Sequence, residues 1–101
     1  MNEEELLVGK NGGKKTDRNK IRFELIPFES LKKIAEILTF GASKYDDNNW
    51  KKLEVERIVG AMMRHLVAWI EGERFDKESG LLHTSHMACN AMFINYLDIK
   101  S

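Results

Sequence analysis

The chain is poor in the residues that staple and punctuate a fold. It has one cysteine, Cys89, and one proline, Pro27. A lone cysteine excludes an intrachain disulfide, and Cys89 reads as a small buried hydrophobe rather than a nucleophile. Net charge is missing too, since Lys+Arg and Asp+Glu both number 16. A balanced chain argues against a dedicated binder of duplex nucleic acid and leaves room only for local phosphate-binding clusters. No apolar run approaches the length of a membrane span. The opening MNEEELLVG carries acid where a signal peptide needs a basic region and an apolar run, so the expectation is a cytoplasmic protein with no membrane partner.

What is present suits one small globular domain: 101 residues, 43% hydrophobic and 32% charged. Residues 1–19 are rich in glycine and lysine, without periodicity, and read as a flexible arm. They lack the Gly-x4-Gly-Lys-Ser/Thr spacing of a P-loop. Residues 20–101 read as a single all-α domain. KIRFELIPF alternates polar and apolar residues and ends beside Pro27, which predicts an extended lead-in or one short strand. A first helix follows from about Glu29 to Ser43, with Leu31, Ile34, Ala35, Leu38, Ala42 and Tyr45 as its apolar stripe and Glu36 nearly opposite. GASKYDDNNW is dense in turn formers. The second helix runs from about Glu54 to Glu71 or Gly72. Ile58, Met62, His65 and Trp69 centre its apolar face, and Arg57, Arg64 and Glu71 form a narrow polar stripe. So apolar a helix predicts burial on more than one side, hence packing against another copy of the chain. The third helix runs from about Leu81 to Leu97. On it His83, His86 and Asn90 share one face, while Thr84, Ala88 and Ala91 make a side of small residues.

All three histidines of the chain, His65, His83 and His86, lie between Arg64 and Asn90. They stand where a simple core would have leucine. A single histidine on an apolar face is usually a core residue satisfied by a neighbour. Three of them with Asn90, bracketing the carboxylate turn EGERFDKE, imply polar atoms that satisfy one another, a metal or a ligand. Glu73 and Asp76 are three apart and project together if the second helix continues that far; Asp76 and Glu78 can do the same from a loop. Carboxylates alone suit Mg2+, and added imidazoles favour Mn2+, Co2+ or Zn2+. The plainer reading of the turn is a hydrophilic loop. Lys44, Tyr45, Asn49 and Trp50 combine a cation, an amide and two aromatics, a plausible purine-binding edge, though the aromatics can equally pin the loop. Arg22 and Arg64 are cations near these features, able to meet a phosphate or to sit on the surface.

RFELIP, GASKYDDNNW and RHLVAWIEGERFDKESGLLHTSHMACN resemble a phage and bacterial family, the N-terminal domain of dATP/dGTP diphosphohydrolases, allied to the MazG-like all-α nucleoside triphosphate pyrophosphohydrolases. The likeness covers roughly residues 20–95. It implies an all-α, compact three- to four-helix MazG-like bundle that assembles as a homo-oligomer. It also implies Mg2+- or Mn2+-dependent cleavage of a purine deoxynucleoside triphosphate to the monophosphate and pyrophosphate. Under that resemblance Glu73 and Asp76 are metal ligands, and His65, His83 and His86 are ligands, phosphate contacts or proton donors. Asn49, Trp50 and Asn90 contact the base or sugar. The expected sets are then Glu73, Asp76, His65, His83 and His86 for catalysis, and Glu73, Asp76, Glu78, His83 and His86 for the metal. Lys44, Tyr45, Asn49, Trp50, Arg64, Asn90 and Arg22 are expected to hold the nucleotide.

MazG-type enzymes carry ExxE on one helix and ExxD on the next. Here the corresponding helices offer Arg64 and His65, then His83 and His86, and the carboxylates stand between them. Either the metal site is rebuilt around Glu73, Asp76 and imidazoles, or the chain binds a nucleotide without cutting it, as a phage-type sponge or sensor of a nucleotide signal. A third reading is a structural helical module whose histidines only hydrogen-bond.

Overall fold

The only proline marks where the first α-helix begins. Pro27 is extended (φ −60°, ψ 130°), and its carbonyl accepts the first helical bond, from Leu31 N at 3.1 Å. Helix α1 follows over Phe28–Lys44, with Glu29 in its first turn and Lys44 in its last, each complementing the helix dipole. The computed structural model describes residues 19–101. The arm expected over residues 1–19 lies, except for Asn19, outside the described residues. The lead-in forms a 3-10 turn over Phe23–Leu25. Among the described residues there is no strand, only an isolated antiparallel bridge between Phe75 and Leu82.

The buried face of α1 differs from the expected stripe. Ile37 is its one buried residue; Ile34, Leu38 and Gly41 are half-buried, and Leu31, Ala35, Ala42 and Tyr45 are exposed. Positions 34, 37, 38 and 41 satisfy helical spacing as well as the predicted set does. The helix has apolar residues on two sides, so docking onto a neighbour decides which side goes in. Glu36 pairs with Lys33 at 3.3 Å. The loop after α1 bends at Asn48, in the left-handed region (φ 60°) that asparagine tolerates. A 3-10 turn over Asn49–Lys52 follows.

Helix α2 spans Val55–Ile70 and helix α3 spans His83–Lys100. α3 packs mainly on α2 and secondly on α1. Ile58 on α2 is 2% exposed and Cys89 on α3 is 1% exposed, so these two side chains fill the seam. Trp69, expected at the centre of the inner face, is about half exposed, and Thr84, Ala88 and Ala91 are exposed rather than packed. The buried set is small. Among the described residues it comprises three apolar side chains, Ile37, Ile58 and Cys89, and three polar ones, His83, Ser85 and His86. Half of the interior is therefore polar and has to be satisfied locally. Meanwhile Met63, Val67 and Ile70 on the outer side of α2 are exposed, as are Phe23 and Phe28 near the start of the described chain.

Candidate functional site

Helix α2 ends because Gly72 adopts φ +97°. Its N–H donates to the Trp69 carbonyl at 3.0 Å, and Glu73 N donates to Ala68 O at 2.9 Å. These are the two bonds of a Schellman cap, which needs a left-handed residue that only glycine supplies cheaply. The helix thus does not carry Glu73 and Asp76 on one side, as its continuation would have done. The cap folds Glu73 back over the end of α2 instead.

The next ten residues form a tight turn. Asp76 N donates to Leu81 O at 2.8 Å, Gly80 N to Asp76 O at 2.8 Å, and His83 N to Arg74 O at 3.0 Å. Gly80 (φ +73°) takes the second left-handed position. The Asp76 carboxylate accepts Ser79 N at 2.8 Å, and Ser79 Oγ accepts Leu81 N at 3.1 Å. These side-chain-to-backbone bonds hold a short loop that helix and sheet ladders do not reach.

This turn brings both carboxylates to the histidines. Glu73 Oε2 lies 3.6 Å from His83 Nε2, and Asp76 Oδ2 lies 3.7 Å from His86 Nε2. His65 Nδ1 and His83 Nδ1 are 2.8 Å apart, and the rings of His65 and His86 stack at 4.2 Å with 7° between their planes. Ser79 Oγ is 2.7 Å from His86 Nε2. That oxygen also accepts Leu81 N–H, and the tautomer of His86 sets which partner donates in the Ser79–His86 contact. His83 is 4% exposed, and its Nε2 has no hydrogen-bond partner. One ligand atom each from His65, Asp76 and His83 lie within 4.8 Å of one another.

Burial pushes the His65 imidazole down to about 4, reinforced by the neighbouring His86 and partly opposed by the Asp76 carboxylate. His86 is also pushed down by burial, against the pull of Asp76. For Asp76 burial acts upward, but the hydrogen bonds from Ser79 and the two imidazoles outweigh it and hold the carboxyl below its ordinary range. At neutral pH the pattern is one of neutral His65 and His86 rings beside an ionised Asp76. Such rings are free to act as ligands or proton acceptors.

Beside the cluster lies a cleft of about 710 Å³, within the range of small-molecule sites. His65 and His86, stacked on each other, line it, and the buried His83 does not. Lys44, Tyr45, Asn49, Trp50, Arg64 and Asn90 all line it. Arg22 does not line it and pairs with Glu24 at 3.0 Å. Glu78 lies close enough to His86 to pull its pKa upward, as Asp76 does. It faces the cleft and forms an ion pair with Lys44. That contact raises the Lys44 ammonium above its ordinary value, chiefly through the hydrogen bond to Glu78. Trp50 stacks on Phe93 at 4.3 Å (11°) and meets Tyr96 edge-on at 5.2 Å, so one face of its indole is already used to pin the loop. Tyr45 remains exposed, with Lys44 Nζ 5.2 Å from its ring centroid.

Ser79 is the organising residue that the sequence reading missed. Its signal was the Asp76-x-x-Ser79 spacing, which lets a side-chain oxygen cap the turn. Phe93 serves as the platform for Trp50, a contact across more than forty residues that no local pattern signals.

Fold and site together define an all-α helical protein with an imidazole–carboxylate cluster opening onto a cleft of ligand size. Residues 10–101 match the family model for the dATP/dGTP diphosphohydrolase N-terminal domain, and the chain belongs to that family. It is 35% identical over 85 residues to a dATP/dGTP diphosphohydrolase of Salmonella phage PMBT28. The aligned stretch covers 84% of this chain and 29% of that relative, so the chain spans under a third of the phage protein's length. No solved structure matches the chain. Among the described residues no helix is long and apolar enough to cross a membrane.

Proposed function

We propose that the chain hydrolyses purine deoxynucleoside triphosphates, dATP or dGTP, to the monophosphate and pyrophosphate, in the cytoplasm of a bacterial or phage-infected cell. One observation carries this reading: a nucleotide-sized cleft lined in part by the stacked pair His65 and His86, with Asp76 beside His86 and Glu73 beside the buried His83. The family and the activity named for the phage relative agree with it.

In this reading Lys44 and Arg64 bind the phosphates, Asn49 and Asn90 hydrogen-bond to base or sugar, and the exposed Tyr45 offers a stacking face. Arg22 stays a nucleotide contact only through movement of its segment toward the cleft. Water adds to the α-phosphorus, the α–β bridging P–O bond breaks, and pyrophosphate leaves. A neutral imidazole at the cleft wall accepts the proton from that water, and Asp76 stabilises the imidazolium that forms. A divalent cation, Mg2+ or Mn2+, would be held by Glu73, Asp76 and imidazoles and would supply charge neutralisation and an activated water. The donors suit a cation: the set mixes carboxylates with imidazoles, and the buried His83 Nε2 lacks a partner. Glu78 joins them only after leaving Lys44.

The exposed apolar side chains on α2, with three buried apolar residues in the described chain, support assembly as a homo-oligomer. The decisive assay is pyrophosphate release from dATP and dGTP with and without divalent metal, in wild type and in Asp76→Ala and Glu73→Ala. Metal-dependent release lost in both variants is expected. The absence of turnover with any nucleoside triphosphate across Mg2+, Mn2+ and Co2+ would overturn the proposal.

A second reading keeps the cleft and drops the chemistry. The carboxylates lie on a turn rather than paired along helices, and Glu78 is held by Lys44. A protein that only retains a nucleotide would bind it in EDTA and return it intact.

A further inference from the structure

The 2.8 Å contact between His65 Nδ1 and His83 Nδ1 holds one proton between the two nitrogens. With none the lone pairs repel, and with two the N–H groups clash. In neutral rings either imidazole is able to supply that proton, and the second nitrogen of His83 decides between them. His83 Nε2 has no hydrogen-bond partner, belongs to a side chain 5% exposed, and faces Glu73 Oε2 at 3.6 Å. That is longer than a hydrogen bond of about 2.7–3.2 Å, yet close enough for charge to set the tautomer. A buried lone pair is repelled by a carboxylate at that distance, whereas an N–H is attracted. His83 therefore carries its proton on Nε2 and offers a lone pair at Nδ1. His65 then donates from Nδ1, which leaves its own lone pair on Nε2, because the bond at one ring nitrogen fixes the state of the other.

That lone pair is open to the cleft. His65 lines the cleft and His83 does not. Among the described residues His65 Nε2 makes no hydrogen bond, and the one buried side-chain nitrogen or oxygen without a partner is His83 Nε2, so His65 Nε2 is reached by solvent. The His86 ring stacked on His65, at 4.2 Å and 7°, holds the plane of the ring. We infer that Glu73, His83 and His65 form a tautomer relay, in which Glu73 and His83 are positioning residues and His65 Nε2 is the proton-accepting atom at the cleft. The inference deepens the proposed function and rests on it for the source of the proton. Water attacking the α-phosphorus gives its proton to His65 Nε2. The Nδ1 proton of His65 can then pass to His83 Nδ1, which leaves His83 doubly protonated beside the Glu73 carboxylate. The positive charge thereby moves from the cleft to a carboxylate neighbour.

The test uses the full 15N-labelled chain in EDTA near neutral pH, free of nucleotide. Long-range proton–nitrogen spectra of the three histidine rings separate protonated nitrogens from lone-pair nitrogens. His83 protonated on Nε2 alone and His65 on Nδ1 alone is expected. Glu73→Leu puts an apolar residue just after the helix cap, where one is common, and circular dichroism confirms that the variant is folded. It should shift His65 toward a proton on Nε2, although the substitution acts through His83. Glu73→Gln keeps an acceptor oxygen and should keep the wild-type pattern. In the pyrophosphate assay with divalent metal, His65→Gln should lower kcat about a hundred-fold or more and leave KM within about two-fold. A doubly protonated His83, a proton on His65 Nε2, or an unchanged His65 pattern in folded Glu73→Leu would overturn the inference, and wild-type pyrophosphate release would then leave the proposed function standing. Unchanged kcat in His65→Gln would likewise remove His65 as the acceptor. The assigned tautomers in a wild-type chain that turns over no nucleoside triphosphate would support the relay and overturn the proposed function.

Discussion

The depressed His65 imidazole makes a signed prediction about acid stability. Its pKa moves from 6.5 to about 4 in the fold, chiefly by burial. Above 6.5 the ring is neutral in both folded and unfolded chains and contributes nothing to the pH dependence. Between 6.5 and about 4 the unfolded chain takes a proton that the native ring refuses, so native stability falls as pH falls through that window. Unscreened, the gap is worth about 3 kcal/mol. Water reaches one side of this half-buried ring, which reduces the expected loss to about 1–2 kcal/mol. In a domain of this size that is roughly 5–15 °C in melting temperature. Asp76 acts in a lower window. Its carboxyl is held below 3.8, so the stability it adds is present above that value and is lost below it. His65→Gln removes the titration and leaves a side chain able to bond to His83. Thermal melts in EDTA, near neutral pH and near the lower end of the His65 window, should show wild type losing more stability than the variant by that amount. Parallel losses in the two proteins would refute the assignment of a buried, neutral His65.

Three further outcomes test other links. Gly72→Ala meets no atom within 4 Å, so its cost is purely the left-handed backbone, about 1–2 kcal/mol in chemical denaturation; an unchanged midpoint would show that the cap is not formed. Cys89 is buried, and burial pushes its thiol up to about 11, so native protein near neutral pH should resist alkylation that unfolded protein accepts readily; labelling at equal rates would contradict the packing of α3. Glu78→Gln releases Lys44 from its ion pair, and nucleotide affinity measured by calorimetry should rise several-fold; weaker binding would place Glu78 among the groups that hold the ligand.

Helix number, type and order were legible because α1 and α2 repeat apolar residues at helical period and the third stretch sets His83, His86 and Asn90 on one helical face. The observed Phe28–Lys44, Val55–Ile70 and His83–Lys100 fall within two or three residues of the expected bounds. The inward face of α1 was not legible, because Leu31 and Ile37 belong to two stripes of similar quality and only docking on α3 separates them. The clustering of the histidines was legible as an expense: polar rings at core positions must be satisfied somewhere. Their pairing was not. That His65 meets His83 edge to edge and stacks on His86 follows from how α2 and α3 cross, which no local pattern encodes. The geometry of Glu73 and Asp76 turned on whether α2 continues that far, and Gly72, a left-handed residue, ends it before them.

That ending bears on the chemistry. A helix carrying ExxE presents two carboxylates at fixed spacing, and the helix backbone does the positioning. Here the work is divided. The Schellman cap at Gly72 turns Glu73 toward His83, and the Asp76–Ser79 turn aims Asp76 at His86. The two carboxylates are therefore positioned by separate backbone devices, while the imidazoles they face come from two rigid helices. Short loops held by side-chain bonds open more easily than packed helices. A site built this way holds its nitrogen donors firmly and its oxygen donors loosely. Disturbing Ser79 should displace Asp76 without moving His65 or His83, whereas disturbing the α2–α3 seam at Ile58 or Cys89 should displace the imidazoles first. This arrangement makes the ring nitrogens the fixed frame of the cluster and the carboxylates its adjustable part, the reverse of a helix-borne carboxylate pair.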